Sequence, residues 1–288
     1  VTLRLPEIGF GCANALRATT AEIIDAAGSH GFRRITANPA QYRRSLDAGL
    51  TDDDLRRRLD EAGLTCTMLD AVPDVFPGGG TLRTLDPALR SALGGDRPVD
   101  EALCFRVADT LGIWLLNVNH YMGDTTIPVA DLAAGLANFC QRAARGGFQV
   151  CVEFIPDSGI PDIGAAQAVI EACGATNVGI LFDLFHHVRG GGTVDDVAKL
   201  PPRAINSLQL SDRIAPPPGT PHVPLRGRLL PGEGEVPIAA LVAAALENNP
   251  DITIDVEVLN DELAALDVDA VAARLANALK RWASTLTG

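Results

Sequence analysis

Between Val150 and Val258, four side chains able to bind a hard cation occupy matching places in four apolar segments. Glu153 lies in Cys151-Val152-Glu153-Phe154, and Asp183 follows Gly179-Ile180-Leu181-Phe182. Gln209 lies in Ser207-Leu208-Gln209-Leu210 and Glu257 in Asp255-Val256-Glu257-Val258. An acid or amide inside an apolar strand is expensive to bury without a partner. Contributed by successive strands, these side chains can share one partner, a divalent cation. Three carboxylates and one amide oxygen form an oxygen-only donor set. That set suits Mn²⁺ or Mg²⁺, with Co²⁺ tolerated, better than zinc, which prefers His and Cys. Without an ion, acids crowded at one end of a fold repel and raise one another's pKa. Asp255 lies one layer deeper and reads as structural.

The elements that must bring these groups together follow a strand–helix alternation. Strands are expected at Ile8–Cys12, Phe32–Ala37, Leu64–Val72, Ile113–Asn119, Phe148–Ile155, Val178–Phe185, Ile205–Leu210 and Ile252–Val258. Helices fall between them. One is opened by the capping box Thr19-Thr20-Ala21-Glu22, another by Thr51-Asp52-Asp53-Asp54, and a last amphipathic one spans about residues 268–284. Pro73 to Val99, with its Gly-rich turns, breaks the rhythm and reads as a loop over the mouth, either a lid or a plain insertion. Eight strand–helix units without a break in composition predict a single (β/α)8 barrel domain, a TIM barrel of the α/β class, over residues 1–288. A doubly wound sheet is the alternative, but no Gly-x-Gly-x-x-Gly turn follows the first strand. With Val150, Val152 and Phe154 facing the helices, Cys151 and Glu153 face the lumen. The same alternation turns Asp183, Gln209 and Glu257 inward near the C-terminal strand ends, where barrels build their sites.

Bulk properties narrow the function. A formal charge of −12 argues against nucleic acid and anionic membrane as partners. No apolar run is long enough to span a bilayer. The six scattered cysteines form no Cys-x-x-Cys pair and read as reduced thiols, which points to a cytoplasmic setting. The only lysines, Lys199 and Lys280, lie outside the expected strands, which disfavours Schiff-base chemistry.

Taken together, Val-Glu-Phe at Glu153, Asp183-Leu184-Phe185-His186, Gln209-Leu210-Ser211-Asp212 and Val-Glu-Val at Glu257 resemble the metal-ligand strands of the xylose isomerase-like barrel family. Arg228-Leu229-Leu230-Pro231-Gly232-Glu233-Gly234-Glu235 resembles the loop often found before its seventh helix. Many members carry histidine on strand seven; Gln209 looks more like the hydroxypyruvate isomerase branch. The resemblance implies a metal-dependent isomerase or epimerase of a small sugar or hydroxy-keto acid. A substrate carbonyl and neighbouring hydroxyl would be chelated, and a proton removed from the adjacent carbon. It also implies Glu153 and Glu257 as the acid–base pair and as ligands, Asp183 and Gln209 as ligands only, and His186 as a hydrogen-bond partner of a substrate oxygen. His187 reads as structural. Arg213 and Arg228 are candidates for gripping a hydroxyl, carboxylate or phosphate, and Asn119 and His120 for lining the pocket. Relatives of this kind often form homodimers. Two alternatives stay open: a lyase or dehydratase using the same enediolate, and a non-catalytic ligand-binding barrel or subunit.

Overall fold

Local capping chemistry sets where the helices begin. The Glu22 N–H donates to Thr19 Oγ1, and the Thr19 N–H donates to the Glu22 carboxylate, closing the expected box at the start of α1 (Thr20–Ser29). Thr51 and Asp54 repeat the arrangement at α3 (Asp52–Glu61). Between them lies α2 (Pro39–Asp47), which the apolar pattern did not announce. Its sequence is too polar to show a period, but Asn38 accepts the Ala40 N–H and Pro39 takes the first helical position.

The computed structural model describes residues 6–79, 97 and 99–286. Its strands are β1 (Ile8–Phe10), β2 (Arg34–Ala37), β3 (Thr65–Val72), β4 (Leu115–Asn119), β5 (Gln149–Glu153), β6 (Val178–Asp183), β7 (Ile205–Leu210) and β8 (Thr253–Val256). They pair in chain order, all parallel, and β8 returns to β1 to close the barrel. After β3 the described helices are α4 (Glu101–Leu111), α5 (Val129–Arg145), α6 (Ile163–Cys173), α7 (Leu184–Arg189), α8 (Val194–Ala198), α9 (Ile238–Asn248), α10 (Asp261–Ala264) and α11 (Val268–Thr285). Of the loop expected at 73–99, residues 80–96 and 98 lie outside the described residues, so the lid expectation falls there. Among the described residues no helix is long and apolar enough to cross a membrane. All six cysteines are free thiols.

The rows divide as the alternation requires. Val150, Val152, Phe154, Leu208, Leu210, Ile254 and Val256 join the large apolar cluster beneath the helices. Cys151 belongs to a separate buried cluster with Met68, Leu115 and Leu181, which fills the lumen from the other row. Two strand ends differ from expectation. Strand β6 stops at Asp183 because its carboxylate accepts the His186 N–H at 2.8 Å and starts α7, so Phe185 and His186 are helical. Strand β8 stops at Val256, but the Glu257 N–H still donates to Leu210 O at 3.0 Å, which keeps Glu257 beside β7.

Candidate metal centre

Glu153 and Asp183 are the last residues of their strands, Gln209 is one short of the end of β7, and Glu257 is one beyond β8. All of them are buried. Their contacts run in a closed circuit around the barrel mouth. Arg228 Nη1 reaches Asp183 Oδ2 at 2.6 Å and Glu257 Oε2 at 3.0 Å. Gln209 Nε2 donates to Glu257 Oε1 at 3.2 Å and to Asp70 Oδ2 at 2.9 Å. Asn117 Nδ2 donates to Asp70 Oδ1 at 2.7 Å and to Glu153 Oε2 at 3.0 Å, an oxygen that also accepts from Asn119 Nδ2 at 3.0 Å. Glu153 Oε1 lies 3.6 Å from His186 Nε2, which in turn lies 3.4 Å from Arg228 Nη2.

This arrangement answers the donor question from side-chain chemistry. Glu153, Asp183 and His186 offer ligand atoms that all lie within 4.8 Å of one another. Gln209 Oε1 is buried and has no hydrogen-bond partner among the described residues. An orphaned amide oxygen beside carboxylates is what a cation site requires, since its lone pairs are otherwise unsatisfied. Glu153, Asp183 and His186, with the Gln209 oxygen, therefore fit a divalent ion, whereas Glu257, tied to Arg228 and Gln209, stands outside the group of three. His186 adds a nitrogen to what the sequence presents as an all-oxygen set. Arg228 supplies a resident positive charge, held by Asp183 and Glu257.

The charges are set by burial and by one another. Burial, then Asp70 and Asp183, push the Glu153 carboxyl up to about 8. Burial raises Glu257 well above the ordinary glutamate value, against the pull of Arg228. Asp183 is equally buried, yet Arg228, His186 and the capping N–H bring it below the usual carboxylate range. Burial lowers His186 to about 3, so its imidazole is neutral at physiological pH. Asp255, beneath Glu257 in β8, is raised well above its ordinary value by burial. Neither of its oxygens has a hydrogen-bond partner among the described residues.

Arg213 and Arg228 both lie over the Phe185 ring, at 5.6 and 4.9 Å from its centroid. Arg228 is spent on Asp183 and Glu257. The Arg213 guanidinium has no hydrogen bond or ion pair among the described residues. Arg228 is placed by the loop that follows β7. Asp212 accepts N–H bonds from Gly232, Gly234 and Val236, and pairs through its backbone with Leu229. A Cβ on Gly234 would stand 2.3 Å from Asp212 Oδ1, so only glycine fits there. Asn119 supports Glu153. His120 is held by the Gly159 N–H on its Nδ1 at 3.0 Å and lies against Phe76, outside the circuit. His187 bonds Thr193 O and packs on Phe154 and Phe182, a structural placement. Asp70 and Asn117 are site residues that strand patterning did not single out. Asp70 nevertheless carries the same signature as the others, an acid near the end of an apolar strand.

A profile of the xylose isomerase-like TIM barrel family matches residues 22–282. The chain belongs to that family. Inosose isomerase of Halalkalibacterium halodurans is 26% identical to this chain over 136 residues. That match covers 46% of this chain and 48% of the relative, about half the length of each. Solved structures share the barrel. The IOLI protein with a bound zinc atom superposes with a TM-score of 0.78 at 16% identity, covering 98% of this chain and 99% of that one. D-psicose 3-epimerase in the presence of D-fructose gives a TM-score of 0.68 at 15% identity, covering 98% and 100%. The proteins this chain resembles thus include an inosose isomerase and, in fold, a D-psicose 3-epimerase, and the chain has a buried candidate metal site of its own.

Proposed function

We propose that the protein is a divalent-metal-dependent isomerase or epimerase acting on a small sugar or hydroxy-keto acid by moving a proton on the carbon next to a carbonyl. The observation that carries this reading is the buried Gln209 Oε1, without a hydrogen-bond partner among the described residues, in the circuit that holds the Glu257 and Glu153 carboxylates. Glu153, Asp183, Gln209 and Glu257 would hold the ion, with His186 alongside; Mn²⁺ or Mg²⁺ suits the oxygen donors and Co²⁺ is tolerated. Bound there, the ion would polarise the substrate carbonyl and stabilise negative charge developing on its oxygen.

The protein's own groups divide the remaining work. Glu153, a buried carboxylate at the end of β5, takes the proton from carbon. Glu257, on the far side of Gln209, returns a proton to the opposite face. Neutral His186 offers a hydrogen bond to a substrate oxygen without adding a charge. Arg213, whose guanidinium lies over Phe185 and makes no ion pair among the described residues, receives the hydroxyl or carboxylate end of the substrate, which favours a hydroxy-keto acid.

Incubation with Mn²⁺ in D₂O and a panel of ketoses and hydroxy-keto acids tests this. Deuterium should enter at a carbon next to the carbonyl, and Glu257→Gln should abolish the uptake. Loss of water from the product would move the assignment to a dehydratase. Absence of uptake on every candidate, with the ion bound, would leave a ligand-binding barrel.

A further inference from the structure

We propose that Asp70 is a positioning residue that fixes which end of the Gln209 amide faces the metal, and with it the free oxygen of Glu153. The inference rests on the metal site just proposed and adds a residue outside its ligand set. The two ends of a glutamine amide have nearly the same shape, and only their hydrogen-bond partners distinguish oxygen from nitrogen. Gln209 Nε2 faces two carboxylate oxygens, Asp70 Oδ2 at 2.9 Å and Glu257 Oε1 at 3.2 Å. Glu257 cannot hold the amide alone if its own oxygens turn to an ion. Asp70 can do so, because it is not one of the proposed ligands and its two oxygens accept from the Asn117 and Gln209 amides.

Its second oxygen performs the same service on the opposite side. Asp70 Oδ1 holds Asn117 Nδ2 at 2.7 Å, and that nitrogen also donates to Glu153 Oε2 at 3.0 Å. Glu153 Oε1 is thereby left turned toward His186. One carboxylate on β3 thus orders proposed ligands on β5 and β7. The β3–β4 register supplies the means: Leu69 pairs with Leu116 but Val72 with Val118, so β3 carries an extra residue where Asp70 stands. Bulges of this kind re-aim a side chain next to a site. A carboxylate is required because it only accepts; asparagine could present N–H and let the Gln209 amide turn over, pointing its own N–H at the cation.

The competing role for Asp70 is one more negative charge attracting the ion. Mn²⁺ titrations followed by calorimetry and by the Mn²⁺ paramagnetic resonance signal separate the two. In the wild-type background Asp70→Asn should weaken Mn²⁺ binding by about 10–100-fold, the range for a lost orienting partner. In the Gln209→Glu background its effect should reverse, because the introduced amide would donate to the new carboxylate whereas Asp70 repels it. A loss of affinity in both backgrounds, or no change in wild type, overturns the proposal. Near-UV circular dichroism checks folding. Should Asp70→Asn alone not fold, the comparison of Gln209→Glu with its Asp70→Asn double variant carries the test. Failure of the wild-type protein to bind Mn²⁺ would overturn the metal reading itself, and this inference with it. Wild-type binding unaffected by Asp70→Asn would overturn the inference alone.

Discussion

Glu153 shows how one residue couples the site to stability. Its carboxyl has an ordinary value of 4.5 and is pushed up to about 8 by burial and by Asp70 and Asp183. The folded protein therefore binds more protons than the unfolded chain between those values. That contribution to stability is complete below about 4.5 and is lost as the pH rises through about 8. The melting temperature of metal-stripped protein should fall between about pH 5.5 and pH 8.5, by roughly 2–4 °C for each kcal/mol lost. Glu153→Gln should flatten the slope, and saturating Mn²⁺ should shift the curve upward most at the alkaline end, since a bound ion needs the carboxylate deprotonated. An unchanged pH profile in the variant would show that Glu153 is ionised in the folded state. The same crowding accounts for Arg228. With Asp70, Glu153, Asp183 and Glu257 in one circuit, its guanidinium is the positive charge they share, at 2.6 Å from Asp183 and 3.0 Å from Glu257.

At the scale of elements, the seam between β1 and β8 decides whether Glu257 is usable. Glu257 lies beyond the last residue of β8, and the short 3₁₀ turn Cys12–Ala15 clamps it. Asn14 Nδ2 donates to Gly11 O and Val256 O, and Asn14 Oδ1 accepts the Val258 N–H, each at 2.7 Å. A Cβ on Gly11 would stand 2.6 Å from Val256 O, so the approach of the two strands also depends on glycine. Asn14→Ala strands the buried Val258 N–H and frees the backbone on both sides of Glu257. The expected cost is about 1–3 kcal/mol in a denaturant titration, the range for an unsatisfied buried group. A fall in Mn²⁺ affinity should accompany it. Loss of stability with full Mn²⁺ affinity would mean that Glu257 keeps its place without the clamp.

For the whole molecule, closure is uneven. Phe10 against Ile35 is the register pair joining β1 to β2, whereas β5 and β6 share pairs at Val150, Cys151, Val152 and Glu153. Cooperative opening starts where few backbone bonds cross. Hydrogen exchange should therefore release the amides around Phe10 and Ile35 well before those of β5 and β6. Equal protection around the ring would show that helix packing, not the ladder, governs opening. Such an opening order leaves the strands bearing Glu153 and Asp183 in the most persistent part of the barrel.

Much of this was legible in the chain alone. Period-two alternation around Glu153 and Gln209 assigns each a face, because successive strand side chains must point opposite ways. The Thr19–Glu22 and Thr51–Asp54 boxes mark helix starts through contacts three residues apart. What only the folded barrel decided is lateral: that Arg228, from an irregular loop without period, lies between Asp183 and Glu257; that a bulge turns Asp70 toward Gln209; and that Asn14 ties the first strand to the last. Those contacts join residues 29 to 244 positions apart, and no local pattern encodes them. They exist because strand stagger and ring closure set which side chains meet across the mouth.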